Sequence, residues 1–394
     1  LNKHILDKPV QEYINQHLND DVHKIAMAKS PFMDIEAKEL ANQIAAKNKS
    51  QRKLPTWYGA DDIYYPALLS IEQCSSETTA NYKASLVVGD SLIDLTGGFG
   101  VDSLYFAKRT ATVTHCEINI ELSQIAGHNA KVLGQNNITF LAGDGIAWLQ
   151  ETTSSFDTIY IDPARRSSSG KVFMLKDCTP NAVEHLDLLL AKSKRIIIKT
   201  APLLDLSAGL KELKNVAEIH IVSTKNEVKE LLWVLEKDAI SPTKIISVTL
   251  NEQEKHFVLF KGDEEQIESP ILTGPLSTYL YEPDAALLKS GAFNLIAKTY
   301  GLKKLDAQTQ LYTTDVYNNL FPGRIFKINR VITPGELKKE KQLIGNVIVR
   351  NYRDKAENLV RKHKIKPDQH QFLLFTQSRT DGFIVIDAEI IQHY

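Results

Sequence analysis

Gly97, Gly98 and Gly100 stand within four positions of one another in SLIDLTGGFGVDSLYFA, directly after a short apolar run. Glycine is entropically costly to order, so a cluster of three asks for a reason. A strand that gives way to glycines and then to a helix brings backbone N–H groups and a helix N-terminus to one point. That arrangement suits the close approach of a nucleotide or an amino-acid carboxylate; a tight structural turn would use glycines in the same place. Three acids keep step with the following strands. Asp94 closes the first, and Glu117 ends the second, where an acid accepts two ribose hydroxyls. Asp144, in LAGDGIAW, follows the third, where a carboxylate can take an adenine amino group. Each alone could be a solvated strand end or a helix N-cap. Together they mark successive carboxyl ends of strands, which converge on the ligand crevice of open α/β sheets. The dinucleotide fingerprint G-x-G-x-x-G fits Gly97-Gly98-Phe99-Gly100 poorly, and no P-loop sequence is present.

The elements that must position these residues are legible as a pattern. SLIDL, ATVTHCE, ITFLA, FDTIYID, KRIIIKT, AEIHIVS and ELLWVLE are short apolar or β-branched runs. Helical stretches such as ELSQIAGHNAKVLG separate the earlier ones, which predicts a mostly parallel sheet covered on both faces. The last two runs lie too close for a crossover helix and predict an antiparallel pair. Residues 1–85 read as helices, with LSIEQCSSETTANYKASLV as a single one, and residues 86–238 as the α/β domain. Past the junction KDAISPTKIISV, strands and helices alternate again, with DAALLKSGAFNLIAKTY as one helix ending at Gly301. That α+β region divides near Phe321–Gly323 into segments 239–321 and 322–394. The aromatics Trp57, Tyr58, Tyr64 and Tyr65 either stack bases or pack a connection, and His115 and His220 read as structural.

Composition narrows the classes. A chain of 394 residues, 43% hydrophobic and 24% charged, is too long for one ordinary core and has the make-up of a globular protein. No membrane span or signal-peptide apolar region is evident. Cys74, Cys116 and Cys178 lie far apart, which argues against a disulfide framework or a zinc site and fits a reducing cytoplasm. The net charge of −1 conceals a patch between 338 and 366, where ten lysines and arginines face only Glu340, Asp354 and Glu357. Such a patch binds nucleic acid or is simply a solvated face.

DLTGGFGVDS, HCEIN, AGDG and YIDPARR resemble, in order and spacing, the motifs of class I S-adenosylmethionine-dependent methyltransferases over residues 90–236. LSIEQCSSETTANYKA and the tail from Tyr279 resemble a bacterial subgroup with a C-terminal THUMP-like domain, described as RNA or rRNA methyltransferases. The resemblance implies a Rossmann-like seven-stranded sheet with an N-terminal helical segment, a ferredoxin-like linker over 239–321 and a THUMP-like domain over 322–394. It also implies S-adenosylmethionine as cofactor and RNA, ribosomal RNA first, as partner. On it, Asp94 and the loop Thr96, Gly97, Gly98, Phe99 and Gly100 hold the methionine part of the cofactor. Glu117 and Ile118 take the ribose, Asp144 and Gly145 lie by the adenine, and Gln73 lines the pocket from the preceding helix.

The resemblance puts Asp162-Pro163 beside the transferring methyl, where an enzyme mainly aligns the nucleophile and manages its proton. Related amine methyltransferases carry Asn/Asp-Pro-Pro and an aromatic residue that stacks the base; here Ala164-Arg165 follows, so that loop offers no ring. The Asp-Pro-Ala-Arg sequence is similar to that of uracil-C5 RNA methyltransferases, which also need a cysteine beyond the fifth strand. IIIKTAPLLD has none, and Cys178 is the sole cysteine in the vicinity. The expectation is therefore direct transfer to a base nitrogen (or an oxygen) without a covalent intermediate. Asp162 positions the nucleophile, accepts its proton, or only holds the cofactor's amino group. Arg165 and Arg166 clamp a phosphate or read a guanine edge, unless they form surface ion pairs. Two other readings stand beside this one: methyl transfer to a small molecule or protein, and non-catalytic RNA binding.

Overall fold

A computed structural model describes residues 1–165, 174–239 and 241–394. The chain divides into two compact units, one of residues 1–216 and 233–239, the other of 217–232 and the rest of the chain.

The first unit begins with six helices: α1 (Lys8–Gln16), α2 (Val22–Met27), α3 (Ala37–Lys53), α4 (Pro55–Tyr58), α5 (Leu68–Gln73) and α6 (Glu77–Ser85). In α3, Leu40 and Ile44 stand one turn apart and are fully buried, as helical spacing requires. The segment expected as one helix is broken into α5 and α6 at Cys74–Ser76. Cys74 is extended, and the Ser76 hydroxyl caps the new helix by accepting from the Thr79 N–H. Trp57, Tyr64 and Tyr65 are buried, so they pack the connection rather than present faces to a base.

Behind these helices stand β1 (Ser91–Asp94), β2 (Thr112–Glu117), β3 (Ile138–Ala142), β4 (Phe156–Ile161) and β5 (Ser193–Thr200), all parallel, in the order β3-β2-β1-β4-β5. Helices α7 (Val101–Ala107), α8 (Ile120–Val132), α9 (Gly145–Glu151), α10 (Leu186–Lys192) and α11 (Leu206–Glu212) make the connections. Every one of the predicted strands forms. β6 (Val216–Thr224) and β7 (Glu227–Glu236) make the expected hairpin, joined by Lys225-Asn226 with φ of 49° and 60°. Two successive left-handed residues are what a type I′ turn needs to match the strand twist.

In the second unit, β8 (Lys244–Leu250) lies parallel to β6, and β9 (Glu254–Phe260) is antiparallel to β8. A separate seven-stranded sheet contains β10 (Tyr279–Pro283), β11 (Lys303–Asp306), β12 (Thr309–Thr314), β13 (Gly323–Ile332), β14 (Asn346–Val349), β15 (Gln371–Ser378) and β16 (Gly382–Gln392). Its order is β11-β12-β10-β13-β16-β15-β14. One apolar core joins Leu280, Leu305 and Leu311 to Phe326, Leu374 and Ile386. The helix expected over 284–300 is two, α12 (Ala285–Ser290) and α13 (Phe293–Tyr300), because Gly291 takes φ of 74° and ends the first. The basic residues after Thr333 fall on two helices or at and past their ends. Helix α14 (Pro334–Leu337) is a single capped turn, so Lys338, Lys339 and Lys341 lie beyond it. The other basic run falls on α15 (Ala356–His363) and its C-cap Lys364.

Candidate active site

Each predicted acid sits at a strand end, and backbone bonds stitch the ends together. Asp94, on the last position of β1, is 1% exposed. Its Oδ1 accepts the Thr96 N–H at 3.1 Å and its Oδ2 the Ser103 hydroxyl at 2.6 Å. Burial pushes this carboxyl up to about 7 against the pull of those two hydrogen bonds. Thr96 in turn accepts the Asp162 N–H at 2.7 Å, which ties the end of β4 to the glycine loop. From β2, the Glu117 Oε2 accepts the Gly98 N–H at 2.9 Å and its Oε1 the Asn119 N–H at 2.8 Å. The Gly143 N–H donates to the Glu117 carbonyl at 2.9 Å, bringing the end of β3 alongside. Asp144 caps α9 by accepting from the N–H groups of Ile146 and Ala147. Ile118 is 72% exposed and Gln73 is exposed at the C-terminus of α5, whereas Phe99 is buried.

The glycines turn out to have separate reasons. A Cβ on Gly97 would lie 2.3 Å from the His115 ring, so that glycine exists to admit a buried side chain. Burial lowers the His115 imidazole to about 4, and it is neutral at pH 7. Gly100 requires φ of 84°, and a Cβ there would press on Ala126 at 3.1 Å. Gly98, at φ of 55°, faces open space: nothing but the Thr96 carbonyl lies within 4 Å of its absent Cβ, at 3.9 Å. A Cβ on Gly145 would come within 2.8 Å of the Leu95 carbonyl, so β1 and the start of α9 meet closely. Gly97→Ala is accordingly expected to destabilise the protein by ~1–3 kcal/mol through overpacking. An unchanged midpoint of thermal unfolding would refute the packing role of that glycine.

Three charged side chains outside the expected set, Lys199, Lys83 and Asp102, complete the neighbourhood. Lys199, next to last on β5, forms a hydrogen-bonded ion pair with Asp162 Oδ2. Beneath α7, the fully buried Lys83 ammonium reaches Asp102 Oδ1 at 3.1 Å and the Ser75 hydroxyl at 2.7 Å. Asp102 Oδ2 accepts from Ser75 and Tyr160, both at 2.9 Å. Burial would raise the Asp102 carboxyl, but the Lys83 and Lys199 charges and these hydrogen bonds outweigh it and hold the group low. Removing one partner of so buried a pair costs ~3–5 kcal/mol. The network anchors the segment after α5 to the helix that follows the glycine loop. Lys199 left one trace in the sequence, a charge closing the apolar strand IIIKT. Lys83 left none, since in ANYKAS it reads as an ordinary solvated position on the predicted helix.

Ala164-Arg165 forms a two-residue ladder with Cys178-Thr179. Arg166 lies outside the described residues. Cys178 is fully buried.

Comparison with known proteins bears on this arrangement. A Porphyromonas gingivalis W83 protein, whose crystal structure bears a provisional methyltransferase name, superimposes with a TM-score of 0.88 at 29% identity over 99% of both chains. The fold is that of a Rossmann-like methyltransferase with a C-terminal ferredoxin-like α+β domain. Among curated proteins, this methyltransferase-like chain is 27% identical to an uncharacterized RNA methyltransferase of Mycoplasma mobile over 41% of its own length and 49% of that protein. It is 23% identical to an uncharacterized S-adenosylmethionine-dependent methyltransferase of Mycobacterium tuberculosis, over 62% of this chain and 64% of that one. The matches thus span about half to two thirds of those relatives. Residues 279–322 match the model of a ferredoxin-like domain.

The residues present fit the cofactor that such folds use. Burial disfavours the Asp94 carboxylate anion, so the group gains from a cationic neighbour. Each Glu117 oxygen accepts one backbone N–H and keeps a lone pair for a hydroxyl. Gly98 leaves the loop open above its backbone.

Proposed function

We propose that this protein is a cytoplasmic RNA methyltransferase that uses S-adenosylmethionine, with ribosomal RNA as the expected target and a base nitrogen as the acceptor. The observation that carries the reading is the Thr96–Asp162 hydrogen bond, which joins the glycine loop to the Asp-Pro loop. When bound, S-adenosylmethionine supplies a methyl group made electrophilic by a sulfonium. Asp94 and the Thr96–Gly100 loop hold its amino-acid part, Glu117 and Ile118 its ribose, and Asp144, Gly145 and Gln73 the remainder. Asp162 orients the acceptor and takes its proton, and Arg165 and Arg166 hold the substrate. A cysteine nucleophile is not required: Cys178 is fully buried, which favours direct transfer. The names of the Mycoplasma and Mycobacterium relatives support the reaction, and the first of them supports RNA.

In this reading residues 1–85 and 86–238 bind the cofactor, 239–321 is a ferredoxin-like linker, and 322–394 is a THUMP-like part that holds RNA, the last two sharing one sheet and one core. The exposure of Lys338, Lys339, Lys341, Arg361, Lys362 and Lys364 supports that last assignment. Arg350 is spoken for, since it pairs with the buried Glu282. Reversing Arg361, Lys362 and Lys364 to Glu is expected to weaken RNA binding on the order of tenfold or more and to flatten its salt dependence. Filter binding at several salt concentrations checks this; an unchanged slope would make the patch an ordinary solvated face.

The function itself is tested by incubating the protein with methyl-labelled S-adenosylmethionine and total RNA, protein and metabolite fractions, then identifying the labelled nucleoside. Label confined to protein or metabolites would remove RNA as the substrate. Cofactor binding without any transfer would leave a binding protein.

A further inference from the structure

Lys199 is an anomaly within its strand. Ile196, Ile197 and Ile198 before it are fully buried, and the Lys199 side chain is 16% exposed. A lysine here must run its stem along apolar surface and carry its charge to the end of the strand. The strand register decides what it meets there. Ile161 pairs with Ile198 in parallel β4 and β5, so the next residues, Asp162 and Lys199, emerge side by side. The Asp162 backbone is held by Thr96 and its Oδ2 by the Lys199 ammonium, two independent ties from two different elements. Oδ1 has no hydrogen-bond partner among the described residues. Asp102 has its own direct ion pair, with Lys83.

We infer that Lys199 is a positioning residue of the methyl-acceptor site: it holds the Asp162 carboxylate in place through Oδ2, with Oδ1 left to receive the acceptor's proton. The proton released by the acceptor passes to Oδ1, giving a carboxylic acid whose other oxygen still accepts from the lysine. This inference rests on the proposed cofactor assignment. It also sets a cation against the Asp162 carboxylate before substrate arrives, which an unpaired Asp162 would lack.

That difference can be read without any substrate. Sinefungin carries an amine-bearing carbon where S-adenosylmethionine carries its methylated sulfur, whereas S-adenosylhomocysteine has a neutral sulfur there. Calorimetry on the full chain would compare the two ligands in the wild type and in Lys199→Met, Lys199→Arg and Lys199→Met/Asp162→Asn. Lys199→Met should raise sinefungin affinity about tenfold relative to S-adenosylhomocysteine, because the freed carboxylate now meets a cation. Lys199→Arg should leave the ratio within about twofold, and the double variant should lose the gain. A purely structural lysine would shift both ligands equally. An unchanged ratio in Lys199→Met overturns the inference; Lys199→Gln serves if the methionine variant does not fold. If the wild type binds neither ligand, the cofactor assignment fails and this inference with it, a result distinct from an unchanged ratio.

Discussion

Asp162→Asn is expected to slow methyl transfer by roughly 10²–10⁴-fold, the range for removing a positioned general base. The change is isosteric, keeps the backbone N–H that Thr96 accepts, and leaves an amide oxygen to accept from Lys199. What disappears is the basic oxygen. Affinity for S-adenosylmethionine should therefore stay within a few-fold, so the loss should appear in the rate of a single turnover and not in calorimetry. A variant that transfers methyl groups at the wild-type rate would show that the acceptor loses its proton elsewhere. A variant that no longer binds cofactor would mean that Asp162 holds the cofactor itself, as an amino-group acceptor would.

Glu117→Ala is expected to lower S-adenosylmethionine affinity on the order of 100-fold by deleting two charge-assisted hydrogen bonds, each worth roughly 1.5–3 kcal/mol. The structure adds a second contribution. Glu117 also accepts the Gly98 and Asn119 N–H groups, so its loss loosens the very loop that faces the open space. Helix α8 should nevertheless survive, because the Asn119 side chain caps it through the Leu122 N–H. Glu117→Gln separates the contributions, since an amide oxygen can serve one of these donors but not all of them. Unchanged affinity in the alanine variant would remove Glu117 from the site. Tighter binding of NAD than of S-adenosylmethionine would overturn the cofactor assignment.

The seven predicted strands between Ser91 and Glu236 were legible because each is a short apolar run bounded by helical periodicity or by turn residues. Even the hairpin of β6 and β7 followed from a length argument, although STKNEV lacks the usual Asn-Gly signal. Boundaries were harder where two local signals competed. LSIEQCSSETTANYKASLV carries continuous helix formers, yet two adjacent serines offer a cap that the backbone takes in preference to another turn. Gly291 is the same lesson in the second unit, where a left-handed residue is cheap only for glycine and therefore ends a helix that its neighbours would continue.

For the candidate site, the sequence by itself determined the residues that chain order alone can place: Asp94, the glycine loop, Glu117, Asp144 and Asp162, each next to a strand end. Strand ends in a parallel sheet share one edge, so sequence adjacency to a strand already implies spatial adjacency to the others. Only the tertiary structure decided what meets across that edge. That Gly97 makes room for His115, that Lys83 is buried against Asp102, and that Lys199 stands beside Asp162 all depend on the packing of α6 and α7 or on the register of β4 and β5. A charge in a helix or at a strand end looks alike in sequence whether solvent or a carboxylate awaits it. Long-range contacts decide, because the desolvation of an ion is offset only by a partner that the fold, and not the local chain, brings within reach.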